Sequence, residues 1–70
     1  MISATVKDVE DAQKVINSIN DCIKSGKAPT PEKVELCEQY IVDLFDLGLA
    51  AFSLAVECAL NNWCELLLDA

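Results

Sequence analysis

The 70-residue chain has no histidine and no arginine, and no basic residue at all after Lys33. Without histidine it lacks the commonest general base and the usual activator of a nucleophilic serine or cysteine. Three of its cysteines, Cys37, Cys58 and Cys64, lie in the stretch without cations that could stabilise a thiolate, so raised thiol pKa values are expected there. The chain therefore reads as a non-enzyme. The missing arginines and a net charge of −7 disfavour direct nucleic-acid binding, because phosphate contacts need Lys or Arg, and they equally disfavour an anionic membrane surface.

Other absences narrow the reading. The four cysteines, Cys22, Cys37, Cys58 and Cys64, are spaced 15, 21 and 6 apart, with no Cys-x-x-Cys unit of the kind that closes a structural zinc site. They are expected to pack as small hydrophobes, with a Cys22–Cys37 disulfide as the geometric alternative. Neither a metal nor a cofactor is expected. The most apolar run, Leu47 to Leu60, is interrupted by Ser53 and Glu57 and is shorter than the roughly 20 residues that cross a bilayer. The opening Met-Ile-Ser-Ala has neither the basic nor the apolar region of a secretion signal, which predicts a cytoplasmic protein away from membranes. Glycine and proline number two each, and three of these four residues fall within Gly26–Pro31, marking one clear loop.

What is present is unevenly distributed. The five lysines lie between Lys7 and Lys33 and balance the acids there, whereas Glu35, Glu38, Asp43, Asp46, Glu57, Glu65 and Asp69 carry the net charge of the second half. That same half is the more apolar one. A surface both anionic and apolar suits a basic protein partner better than chemistry.

Apolar residues at Ile2, Val6, Val9, Ala12, Ile16, Ile19 and Ile23 step by three and four, which predicts an amphipathic helix from about Thr5 to Ser25. Thr5 is its candidate N-cap, Asp8 completes an imperfect capping box, and Gly26 stops it. Thr30, Pro31 and Glu32 then open a second helix, and the short connection implies an antiparallel pairing with the first.

Beyond Pro31 two readings compete. At 100° per residue Glu35, Gln39, Asp43, Asp46, Ser53, Glu57 and Asn61 share one sector across Gly48, as a single long or bent helix would require. Alternatively Gly48 ends a helix, with Leu49 folding back onto Leu44. A break near Asp46–Leu49 is the favoured reading, since a long unbroken helix would leave its apolar end bare. The expected fold is thus all-α and single-domain over residues 1–70: an antiparallel helical hairpin or a three-helix bundle at about 5–25, 31–46 and 49–68. The last segment is apolar around most of its circumference, so dimerisation through it is expected, with Phe52, Val56, Trp63 and Leu67 in the core or dimer interface.

The pairs Glu35/Glu38 and Asp43/Asp46, three residues apart, belong to no Glu-x-x-His unit and no glycine-containing calcium loop, and read as a solvated acidic face. Phe45-Asp46-Leu47-Gly48 followed by Ser53-Leu54 resembles the Asp-Leu-Gly-x-Asp-Ser-Leu motif of acyl carrier proteins, which are also small, acidic and helical. The resemblance would make Ser53 a phosphopantetheine carrier. It departs from the family in having four residues between Gly48 and Ser53 instead of two, and Phe52 in place of the aspartate. In overall profile the chain is similar to small acidic phage-encoded inhibitors of host defence, such as anti-CRISPR proteins, and to antitoxins and immunity proteins. That likeness is one of composition and carries no motif. The functional expectation is a non-enzymatic inhibitor or regulator that captures a basic protein surface through Glu35, Glu38, Asp43 and Asp46. The alternative is a homo-oligomeric assembly protein that uses its apolar C-terminal helix.

Overall fold

The computed structural model describes residues 4–67. Three helices follow one another: α1 (Val6–Lys24), α2 (Pro31–Asp46) and α3 (Ala50–Cys64), with α3 running into a 3-10 turn at Glu65–Leu67. Ile2 and Asp69, and the far end of the expected third segment, lie outside the described residues.

Each boundary has a local cause. At the start of α1 the Thr5 hydroxyl accepts from the Asp8 N–H at 3.3 Å while the Asp8 carboxylate accepts from the Thr5 N–H at 2.8 Å, so Asp completes the reciprocal box usually written with Glu. At its end, Gly26 at φ +72° lets the Lys27 N–H reach the Cys22 carbonyl at 3.0 Å and its own N–H reach that of Ile23 at 3.1 Å. The Thr30 hydroxyl accepts from the Lys33 N–H at 3.2 Å, and Pro31 occupies the first turn of α2. The helix breaks at Gly48, φ +81°, where the Leu49 N–H bonds the Leu44 carbonyl at 2.9 Å and the Gly48 N–H bonds that of Phe45 at 3.0 Å. Both glycines thus close Schellman motifs, the conformation that L side chains adopt at a cost.

The break overturns the continuous polar stripe. Ser53, which a single long helix would place with Asp43 and Asp46 in solvent, is buried and faces α2. The arrangement is also a three-helix bundle and not a hairpin with an added piece. α3 packs along both α1 and α2, which scarcely approach each other. The reason lies in composition: α3 is the most apolar helix, so burial is greatest when it takes the middle position.

The core is small. Ala12 and Ile19 of α1, Leu44 of α2, and Val56, Ala59, Leu60 and Trp63 of α3 are buried, with Cys22, Cys37, Phe52 and Cys64 among the partly buried residues around them. Cys58 is exposed, against the expectation that every cysteine packs inside, and all four are free. The first turn of the α1 stripe also fails to pack, as Val6 is 75% exposed. Trp63 fastens the C-terminal end of α3 to the α1–α2 loop, its indole N–H donating to the Lys27 carbonyl. Among the described residues no helix is long and apolar enough to cross a membrane.

Candidate interaction surface

Glu35, Glu38, Asp43 and Asp46 are all exposed on α2. Helical geometry places Glu38, Val42, Glu35 and Asp46 within a sector of about 80°, with Phe45 about 20° further on beside Glu38. Asp43 stands outside that strip, its carboxylate accepting from the Gln39 side chain at 3.3 Å. Three of the four expected acids therefore share a surface with two large apolar side chains.

Val42 and Phe45 are 52% and 67% exposed, and Leu54 on α3 is 61% exposed. All three line a groove of about 340 Å3 between the C-terminal half of α2 and the start of α3, with Ile41 and Ser53 among its other walls. Glu57 lines this groove and a second one that continues along the same seam, where Glu38, Val34 and Leu60 also appear. The result is a seam with apolar walls and carboxylates beside it. Phe45, Val42, Leu54 and Glu57 were not expected as site residues. Plotting α2 alone, with the break at Gly48 accepted, puts Val42 and Phe45 on the Glu38 side; the assignment of the apolar half to a dimer core obscured this.

The remaining expected residues separate. Val56 and Trp63 are fully or nearly buried within one chain and belong to its core. Phe52 packs against that core, and Leu67 is 52% exposed in the terminal 3-10 turn. The outward face of α3 instead carries Ala51, Leu54, Ala55, Cys58 and Asn62, all exposed.

The chemistry of the thiols and hydroxyls is subdued. Desolvation pushes the Cys37 thiol above its ordinary pKa, with the nearby Lys33 opposing and Cys64 reinforcing the rise. That keeps it protonated at neutral pH, unlike an activated nucleophile. Ser53 is 4% exposed and its hydroxyl donates to the Ile41 carbonyl at 2.8 Å, so it is not presented for attachment of a prosthetic arm as the carrier-protein resemblance would require. Among the described residues no three metal-ligating side chains come together.

The architecture defines a three-helix bundle whose second helix alternates carboxylates with exposed hydrophobes. No protein-family model, curated protein or solved structure matches the chain.

Proposed function

We propose that the protein is a non-enzymatic binding protein, an inhibitor or regulator that captures a basic surface of another protein through the α2/α3 seam. The observation that supports this is the exposure of Val42, Phe45 and Leu54 around an apolar groove beside Glu38, Asp46 and Glu57. Large apolar side chains in the middle of an interface supply most of its affinity, while surrounding charges raise the association rate and set register. A partner presenting an apolar knob ringed by Lys or Arg matches this surface, and capture falls as ionic strength rises.

The test compares capture from host extract by the wild-type chain, by Phe45→Ala with Leu54→Ala, and by Glu35→Lys with Glu38→Lys, with helicity followed by circular dichroism. The expected result is one partner retained by wild type, lost with the apolar pair and weakened with the charge pair, all three proteins being equally helical. A partner held equally by all three, or none held by wild type, overturns the reading.

A second reading, homo-oligomeric assembly, rests on the open face of α3, where Ala51, Ala55, Cys58 and Asn62 leave room for a helix of another copy to approach closely. Cys58 reports on it directly. Oxidative cross-linking should give a Cys58-dependent dimer at micromolar concentration, and a monomer throughout sedimentation analysis removes this alternative.

A further inference from the structure

The seam between α2 and α3 repeats along its length. Its first groove, beside the Gly48 turn, takes Ala50, Ser53, Leu54 and Glu57 from α3. The second, of about 330 Å3, takes Glu57, Leu60, Asn61 and Cys64, each seven residues further on. On α2 the same step runs backwards: Ile41 and Phe45 line the first groove, Val34 and Glu38 the second. Seven residues are about two turns, so at about 1.5 Å per residue the two grooves are centred roughly 10.5 Å apart.

That spacing selects the conformation of what lies in the seam. An extended segment presents side chains to one face about every 6.7 Å, and its residues three apart, though about 10 Å distant, point to opposite faces. A helix presents residues i and i+7 on one face at about 10.5 Å, as in heptad packing. It also satisfies its own backbone N–H and C=O groups, which α2 and α3 have no free partners for along their length.

The two grooves differ in charge. Val42, Phe45 and Leu54 wall the first, where Glu57 is the only charged residue; the second sets exposed Glu38 and Glu57 beside half-buried Val34 and Ile41 and buried Leu60. No lysine lines either groove, and no basic residue follows Lys33 in the chain. An arginine or lysine suits the second groove, since its stem covers apolar surface while its head meets the carboxylates. A second copy does not supply such a helix: its α2 and α3 have no cation past Lys33, and its α1 buries Ala12 and Ile19 in its own core.

We propose that the seam holds a basic amphipathic helix of the partner protein, which seats a large apolar side chain in the groove beside Gly48 and, seven residues along, an arginine or lysine against Glu38 and Glu57. This rests on the protein-capture reading and names the element captured. The lining spans Val34 to Phe45 and Ala50 to Cys64, about 16 Å and 21 Å, which fits three to four turns of such a helix.

The probe is an alanine-rich helical peptide with one phenylalanine and one arginine seven residues apart, titrated into isotope-labelled protein and followed by amide chemical shifts. The expected result is one-to-one saturation with the largest shifts at Val42, Leu54 and Glu57. Moving the arginine two positions turns it about 160° away with composition unchanged, and should weaken binding about fivefold. Proline at two of the alanines, which prevents the helix, should weaken it at least tenfold. Glu38→Gln with Glu57→Gln, both at exposed positions, should bind the two arginine registers equally, with helicity retained. No saturable binding, shifts centred elsewhere, equal binding of both registers by the wild-type chain, or undiminished binding of the proline peptide overturns the proposal. Capture from host extract tests the protein-capture reading without any peptide, so a partner retained there beside a failed titration overturns the helix alone.

Discussion

Ser53 and Ile41 join the second and third helices by a buried bond: the Ser53 hydroxyl donates to the Ile41 carbonyl at 2.8 Å across the Gly48 turn. Ser53 is the one polar residue in the buried set among the described residues, and its bond leaves no buried polar atom of that set unpaired. The pairing sets how α3 is rotated against α2, and therefore which α3 residues face the seam.

Replacing Ser53 by Ala removes that bond while leaving the Ile41 carbonyl with its helical partner. The expected loss is about 1 kcal/mol in urea unfolding, with helicity retained. A loss under a few tenths would mean the bond does not hold the two helices in register.

Gly48→Ala and Gly26→Ala place a Cβ where no other atom lies within 4 Å, so the cost is that of positive φ alone. Each should destabilise by about 1–2 kcal/mol. The double variant should show the sum within about 0.5 kcal/mol, as the turns share no partner. Chemical denaturation of the three variants measures this.

Leu44 and Phe45 are neighbours with opposite fates, fully buried and 67% exposed. Leu44→Ala should cost about 2–5 kcal/mol, enough to unfold much of so small a domain. Phe45→Ala should fall within about 0.5 kcal/mol of wild type. The thermal midpoints of the two variants decide it, and a large loss for Phe45→Ala would mean that this side chain serves the fold and not a partner.

The capping box makes α1 sensitive to acid. Hydrogen bonds from the Thr5 backbone and hydroxyl, helped by Lys7, hold the Asp8 carboxyl below its ordinary value of 3.8. A carboxyl lowered in the folded state adds stability that is complete above the unfolded value and is lost as pH falls through the folded one. The stability difference between wild type and Asp8→Asn should therefore be constant near neutrality and shrink below about pH 4. Urea titrations at a series of pH values test the sign.

The helices themselves were legible. Thr5, Gly26, Thr30, Pro31 and Gly48 punctuate the chain with backbone requirements that act locally, and the apolar spacing of α1 predicts its buried side apart from Val6. The orientation of α3 was not legible, because apolar residues surround it and only its neighbours decide which of them are covered. Ser53 shares the phase of the acidic stripe only if the helix runs on through Gly48, and phase has no meaning across the break that the sequence favours and the structure has. The position of Val42 and Phe45 beside Glu38 could be read from the phase of α2, whereas their exposure could not. Val42 and Phe45 look like core residues until the width of the bundle is known.

The central position of α3 has a consequence for synthesis. Since α1 and α2 scarcely touch and both pack on α3, a nascent chain that has released residues through Asp46 from the ribosome holds two amphipathic helices with no common core. Trp63 reaches back to the Lys27 carbonyl, the last tie between the end of the bundle and its first loop. Commitment to the native state thus waits for α3, and until then the unfinished protein presents its apolar stripes to chaperones and proteases.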